Sequence, residues 1–208
     1  MHKIRPSCEN EMVHEFLKME LDSARFAEGI ESALRRCGVD KGLITSGDIK
    51  SERENALRTK VLGLSRGYGM DDGVFINYPS SISWFWVVLN KHDAAKTLYI
   101  EYSYWNELSN YTGSPIEAAK AVLQGKTAFD IPNDNFVNIH QKLKGGAAFP
   151  PLIMLTDPSE QRYILLEGHT RMTGFCIDTS LFNNIPALLG YCNDKELGRW
   201  YGKMPQRP

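Results

Sequence analysis

The sequence has almost no excess of charge of either sign. Its 24 lysine and arginine residues are balanced by 25 aspartate and glutamate residues, which gives a formal net charge of -1 over 208 residues. Binding to a nucleic-acid backbone depends on a local excess of basic side chains. The composition therefore offers no general electrostatic argument for DNA or RNA binding, although it leaves open a local basic patch.

Long hydrophobic runs and paired cysteines are also missing. The longest apolar stretch, Ile82 to Leu89, is far shorter than the roughly 18 to 20 residues that span a bilayer. The first residues lack the apolar core of a secretory signal. No C-x-x-C pair occurs, which is typical of reduced thiols and not of a disulfide framework or zinc cluster; the cysteines are Cys8, Cys37, Cys176 and Cys192. These absences predict a cytoplasmic protein without a membrane span.

The first 80 residues carry helical patterns. Apolar residues recur at spacings of three and four through residues 8–38, which predicts one buried helical face, and Gly38 follows it as a stop. Residues 51–69 predict another helix with Ser51 as its N-cap and Glu54 in a capping box. We therefore expect residues 1–80 to form a helical N-terminal extension.

The pattern changes after residue 80. An aromatic strand is predicted at residues 84–89, followed by helices at 90–105, 114–125 and 133–146. Two short, wholly apolar segments, FPPLIML and YILL, predict strands covered on both faces. A short helix and a final strand after Pro186 complete the chain. The sequence thus predicts an α/β (α+β) fold, with residues 81–208 as a mixed-sheet domain.

A polar turn joins the second buried strand to a helix. Residues 163–175 read YILLEGHTRMTGF, and the turn consists of Glu167, Gly168, His169, Thr170 and Arg171. A helix N-terminus carries about half a positive elementary charge and favours phosphate. Thr170 adds a hydroxyl donor and Arg171 a fork for two phosphate oxygens. His169 could donate to a phosphate oxygen or act as an acid or base near neutral pH, and Glu167 could hold a divalent metal or accept a proton.

The same five residues also suit a purely structural turn. Strand-to-helix turns commonly contain glycine and a Ser or Thr cap, and an arginine there can pair with a nearby carboxylate. Taken by themselves, the residues leave both a capping turn and a phosphate site open.

Two other segments carry residues that suit a ligand. Ser65 to Gly73 combines Arg66 with glycines and the pair Asp71 and Asp72, so it could be an anion loop or a metal site, with a flexible loop as the default interpretation. The stretch YIEYSYWNELSNYTGSP is dense in aromatic residues that could stack on a nucleobase, although such density belongs more often to a core.

Residues 133–189, about a quarter of the chain, resemble the core of the ParB/sulfiredoxin-like superfamily. The family's motifs occur in its order and spacing as NFVNIHQKLKGG, FPPLIML, TDPSEQR, YILLEG, GHTRMTGF and NIPALLG. The resemblance implies a ParB/sulfiredoxin-like mixed sheet with helices. It also implies nucleotide use, since ParB proteins bind CTP through this turn, sulfiredoxins use ATP, and a related kinase phosphorylates free serine.

The resemblance assigns roles by position. Gly168, Thr170 and Arg171 would hold the phosphates of ATP or CTP, with Mg²⁺ beside them. His169 stands where sulfiredoxins have their catalytic cysteine, which argues against sulfiredoxin chemistry here. ParB proteins commonly have a second basic residue at the position of Thr170. The D-G-H-H-R form of the serine kinases is nearer to E-G-H-T-R, with Glu167 in the acidic position.

The leading hypothesis is therefore a protein that binds a nucleoside triphosphate and hydrolyses it or transfers its phosphoryl group. Glu167 and His169 are the catalytic candidates, and Glu167 is also the metal candidate. The alternative is a non-catalytic regulatory or DNA-associated protein of the ParB-like kind found in plasmid, phage and transcription contexts. A nuclease ranks last. The C-terminal tail, with Arg199, Lys203 and Arg207, could touch nucleic acid but is expected to be solvated.

Overall fold

A six-stranded mixed sheet forms the centre of the molecule. In the computed structural model, which describes residues 1–201, its strands are β1 (His2–Pro6), β2 (Ser83–Asn90), β3 (Thr97–Tyr99), β4 (Leu152–Thr156), β5 (Tyr163–Glu167) and β6 (Asn183–Tyr191). They lie in the order β1-β2-β6-β4-β5-β3. The pairs β6–β4 and β5–β3 are parallel and the others antiparallel. The predicted α/β fold class is confirmed.

Helices occupy the segments between the strands, and one more follows the last strand. They are α1 (Glu9–Leu21), α2 (Ala27–Arg36), α3 (Gly42–Thr45), α4 (Glu52–Arg66), α5 (Lys91–Ala94), α6 (Ser103–Leu108), α7 (Pro115–Leu123), α8 (Asp134–Lys144), α9 (His169–Phe175) and α10 (Asp194–Tyr201). The N-cap expected at Ser51 is present, since its side chain accepts a hydrogen bond from the backbone N–H of Glu54. Ser114 caps α7 in the same way, and Asn90 forms a capping box with Asp93 at the start of α5.

The two central strands β4 and β5 are covered on both faces, as their apolar sequences predict. All five residues of β4 are buried, and so are the first four of β5. Because side chains alternate along a strand, Ile153 and Ile164 enter one hydrophobic core while Met154 and Leu165 enter another. The sheet is therefore the middle of three layers.

The two outer layers come from different parts of the chain. The first core unites the sheet with apolar residues of α1 to α4 and α10, and the second unites it with α7, α8 and α9. Helices from the first 80 residues thus pack directly on the sheet. The division into an extension at 1–80 and a domain at 81–208 stays a prediction.

Some predicted elements differ from the structure. The N-terminal segment, expected to be helical, opens with strand β1, which pairs with β2 at the sheet edge. The single helix predicted over residues 90–105 is wrong, because Thr97 to Tyr99 pair with β5 as a strand between α5 and α6. The helical pattern at residues 8–38 is divided between α1 and α2. Strand β6 begins at Asn183, before Pro186.

Two expectations concern membranes and the C-terminal tail. Among residues 1–201, every helix is too short or too polar to cross a lipid bilayer. Of the basic residues in the tail, Arg199 lies in α10. Lys203 and Arg207 lie outside the described residues.

Candidate functional site

A cleft of about 1300 Å³ lies where the two helical layers meet the end of β5. All five residues of the predicted turn line it, together with Glu20 at the end of α1, Arg66 at the end of α4, and aromatic residues that follow β3. The sequence therefore located one wall of the cleft, and the fold brings the other walls to it from distant parts of the chain.

Gly168 shapes the turn between β5 and α9. Its φ of +102° lies in the left-handed region, where a side chain is strained. A Cβ atom there would lie 2.5 Å from Leu152 Cδ2 and 3.0 Å from Arg171 Nη2. The first helical hydrogen bond runs from Met172 N–H to Gly168 O at 2.8 Å. Glycine at this position thus leaves room for the guanidinium group of Arg171, from the first turn of α9, beside the end of β5.

Arg171 is held by contacts of one nitrogen atom of its guanidinium group, Nη2. Its Nη2 atom donates to Pro151 O at 3.2 Å and lies 3.5 Å from Glu167 Oε1. The same nitrogen is 2.7 Å from Met19 Sδ. The Nε atom is buried and has no hydrogen-bond partner in the described part of the chain. Arg171 is therefore positioned by the protein and keeps an unused donor.

His169 lies in an aromatic stack. Its ring centroid is 5.3 Å from that of Trp105 and 5.8 Å from that of Tyr99, with the rings within about 20° of parallel. Burial, followed by the charges of Arg171 and Arg66, lowers the pKa of His169 to about 3. The imidazole is thus neutral at neutral pH, so the expected role as an acid or base near pH 7 does not fit this state.

The imidazole keeps hydrogen-bonding capacity in its neutral form. Its Nε2 atom is buried without a partner among residues 1–201. A neutral ring can offer this nitrogen as donor or acceptor, depending on the tautomer. Thr170, next to it, is half-buried and also lines the cleft.

Glu20 and Arg66 form the part of the cleft that sequence reasoning did not place there. Glu20 is 1% exposed, and neither of its carboxyl oxygens has a hydrogen-bond partner within the described residues. Arg66 Nε lies 3.5 Å from Glu20 Oε1 without making a hydrogen bond to any described residue. The Arg66 guanidinium covers the ring of Phe26 at 3.9 Å.

Burial determines the charge of this pair. It raises the pKa of Glu20 to about 8, although Arg66 opposes the rise; the nearby charge of Glu167 adds to it. At neutral pH Glu20 is therefore mostly protonated. Burial also raises the pKa of Glu167, against the attraction of Arg171 and Arg66. At neutral pH the guanidinium group of Arg66 therefore lies 3.5 Å from a carboxyl group that is mostly uncharged.

The predicted Mg²⁺ site at Glu167 does not fit the residues present. Groups of three or more His, Cys, Asp and Glu side chains able to hold a metal ion are absent from residues 1–201. Glu167 instead faces the guanidinium of Arg171 at 3.5 Å. A divalent cation there would have to displace that guanidinium or lie against its positive charge.

A signal for Glu20 was present in the sequence. Helix α1 buries Val13, Phe16 and Leu17, and Glu20 continues this spacing of three and four. An acidic residue on the apolar face of a helix is rarely buried unless it has a partner or a function. Arg66 lies in the Ser65 to Gly73 segment, which the sequence marked as a possible anion loop.

Comparisons with known proteins give no match for this chain: no protein-family model, no curated protein and no solved structure shows significant similarity to it. The resemblance to the ParB/sulfiredoxin-like superfamily therefore stays a prediction. The chemical interpretation of the cleft depends on its own geometry.

Proposed function

We propose that the cleft binds the phosphate groups of a nucleotide such as ATP or CTP. The observation that supports this most is that three residues lining one cleft each have a buried nitrogen atom without a hydrogen-bond partner in residues 1–201: Arg66 Nε, Arg171 Nε and His169 Nε2. A buried donor without a partner costs about 1–3 kcal/mol. Anionic oxygens between the two arginines would satisfy both Nε–H groups with charge-assisted hydrogen bonds.

The size and walls of the cleft favour a nucleotide over inorganic phosphate. Small-molecule sites typically measure about 300–1,000 Å³, and this cleft is about 1300 Å³. Tyr102, Tyr104 and Trp105 line it beside the charged cluster. Aromatic side chains are the usual stacking surface for a nucleobase. A ligand with a phosphate chain at one end and a planar base at the other matches both parts of the cleft.

The proposed reaction is hydrolysis of the nucleotide or transfer of its phosphoryl group. Such chemistry depends mainly on positioning and on stabilising charge. Arg66 and Arg171 would supply the charge, and Glu167, with its raised pKa, would accept a proton from the attacking hydroxyl or water. His169 would position the phosphates through Nε2. Any Mg²⁺ would arrive with the nucleotide, since Glu167 faces Arg171.

A non-catalytic function is the second candidate. The poor fit of a divalent cation at Glu167 favours a protein that binds the nucleotide without turning it over. In that case the ligand would act as a switch or as a structural group, in keeping with the regulatory alternative raised by the sequence.

Thermal unfolding with ATP, CTP and GTP, each with and without Mg²⁺, tests binding. A ligand at about 100 times its Kd adds roughly 2.7 kcal/mol of stability, so we expect a rise of several degrees in Tm. Arg66→Gln and Arg171→Gln should each weaken binding about tenfold to a hundredfold. Arg36→Gln, an exposed residue at the end of α2, is the matched charge control. Unchanged Tm with all nucleotides at millimolar concentration would refute the proposal.

Turnover separates the enzyme from the switch. Release of phosphate or of nucleoside diphosphate is measured for the wild type and for Glu167→Gln at saturating nucleotide. Turnover that is lost in Glu167→Gln while binding persists supports the enzyme. Binding without turnover in the wild type supports the non-catalytic protein.

A further inference from the structure

Glu20 is the acidic residue in the cleft whose hydrogen bonds are least satisfied. It lies at the end of α1, it is 1% exposed, and both of its oxygens have no partner among the 201 described residues. Arg66 is near enough for attraction, at 3.5 Å, but its geometry makes no hydrogen bond. A buried carboxyl group in this condition is destabilising unless something else in the cleft completes its hydrogen bonding.

Charged groups approach Glu20 from several elements. Arg66 comes from α4, Arg25 from the segment after α1, and Glu167 from the end of β5. Arg171 of α9 pairs with Glu167 and contacts Met19, the residue before Glu20. The charge of Glu167 opposes the ionisation of Glu20, and the arginines do not offset the loss of water around Glu20.

We propose that Glu20 is a ligand-contacting residue, and that its protonated carboxyl group donates a hydrogen bond to an oxygen of the anion held by Arg66 and Arg171. The ligand is the phosphate group of the proposed nucleotide, so this inference rests on the proposed function and deepens it. The protonated form is the one that suits the place, because a carboxylate would repel the anion while a carboxyl O–H bonds to it. Burial, which raises the pKa of Glu20 to about 8, supports this protonation state.

Proton coupling of anion binding follows from this contact. At neutral pH Glu20 already carries its proton, so binding changes nothing in its charge. At higher pH Glu20 has lost its proton in the free protein, so binding of an anion requires Glu20 to take up a proton from solvent. The affinity should then fall about tenfold for each pH unit above about 8. If Glu20 instead bound a donor of the ligand as a carboxylate, the affinity would rise with pH.

Titration calorimetry of the full chain across about pH 7 to 9.5 tests the coupling. The probes are ATP without Mg²⁺ and sulfate, since sulfate keeps a constant charge over this range. Parallel titrations in buffers of different ionisation enthalpy count the protons taken up. Wild-type protein should lose affinity as pH rises, with uptake approaching one proton at the upper end.

Glu20→Gln is the decisive variant, because its amide keeps a donor but does not titrate. It should bind with nearly the same affinity at every pH, within about threefold of the wild type at pH 7. Glu28→Gln, an exposed residue of α2, should behave like the wild type.

The outcomes separate this inference from the function on which it rests. Identical pH profiles for the wild type and Glu20→Gln, or an affinity that rises with pH, would overturn the role of Glu20 and leave the anion site standing. A wild-type protein that binds neither probe at any pH would overturn both. A ¹³C NMR titration of the Glu20 carboxyl group adds a check without ligand, since titration near its ordinary pKa of about 4.3 would also reject the inference.

Discussion

Glu20 gives the free energy of unfolding a pH dependence of its own. Its pKa is about 8 in the folded protein, well above its ordinary value. Between about pH 4.3, the ordinary pKa of a glutamate, and about pH 8, this carboxyl group has lost its proton in the unfolded chain and keeps it in the folded protein. The stability that Glu20 contributes is therefore complete below about pH 4, and is lost progressively until about pH 8.

We expect Glu20→Gln to remove this loss. From about pH 5 to pH 8 the wild type should lose about 4 kcal/mol of stability through Glu20, so the stability of the variant relative to the wild type should rise by about that amount. Urea unfolding at a series of pH values measures the difference, with Glu28→Gln as the exposed control. A difference between wild type and variant that stays constant with pH would show that Glu20 titrates normally.

His169 provides a second prediction at the scale of one side chain. Because burial and the charges of Arg171 and Arg66 lower its pKa to about 3, the stability it contributes is present above its ordinary pKa and lost as the pH falls toward 3. Its imidazole should keep neutral ¹⁵N NMR shifts between about pH 5 and pH 8, and should titrate near 6.5 in urea-unfolded chain. Bound nucleotide should raise the folded-state pKa. A histidine that titrates near pH 6.5 in the folded protein would contradict this environment.

Glycine is required at one position before α9 and at one position within it. Gly168 has a positive φ and little room for a Cβ atom. At Gly174, a Cβ atom would lie 2.5 Å from Ile139 Cγ2 and 2.9 Å from the backbone oxygen of Phe136. The second glycine therefore permits the close approach of α9 to α8.

Alanine at these positions should destabilise the protein. We expect Gly168→Ala to lower the free energy of unfolding by roughly 1–3 kcal/mol and to weaken nucleotide binding, since the new methyl group meets the guanidinium of Arg171. Gly174→Ala should lower stability with a smaller effect on binding. Gly29→Ala is the matched control, because open space surrounds that helical position and alanine there should stabilise by about 0.5–1 kcal/mol. Equal stability of the Gly168 and Gly29 variants would argue against this geometry.

Elements could be predicted from the sequence where neighbouring residues carry the signal. They were missed where pairing with a distant strand determines the secondary structure. Strands β4 and β5 and the turn after β5 could be predicted from adjacent residues. Consecutive apolar residues indicate a strand buried on both faces, and the glycine that follows β5 indicates a turn. Strand β1 has five exposed residues and no alternation of burial. It forms a strand because its backbone pairs with that of β2 at the edge of the sheet. Strand β3 has only three residues, and a helical pattern at residues 90–105 concealed it.

The candidate site was predictable to the same extent. The turn from Glu167 to Arg171 stood out because its five residues are adjacent. Glu20 and Arg66 could not be joined to it, since nothing local relates them to residues a hundred positions away. Only the packing of α1 and α4 on the sheet brings them into the cleft.

The whole molecule should unfold as one unit. The first core contains residues of α1 to α4 together with Leu155, Leu166 and Leu188 of the sheet. Removing residues 1–80 would expose this apolar face and remove β1, Glu20 and Arg66 as well. We therefore expect a fragment of residues 81–208 to bind a dye for exposed apolar surface and to lack a cooperative unfolding transition.

Full-length protein serves as the reference, and it should show coincident transitions by circular dichroism and tryptophan fluorescence. If the fragment unfolds cooperatively and binds little dye, then residues 81–208 form an independent domain, as the sequence predicted.

The contact between Met19 and Arg171 joins residues 152 positions apart. Closing a loop of that length is entropically unfavourable, so we expect this contact to form late in folding. During synthesis, α1 and α4 leave the ribosome long before the turn that completes the cleft. Throughout that interval, Glu20 and the apolar side chains around it lack the contacts with the later residues that they make in the folded protein. Ligand-binding capacity is consequently a stringent indicator of complete folding, and it should return last when the denatured protein is refolded.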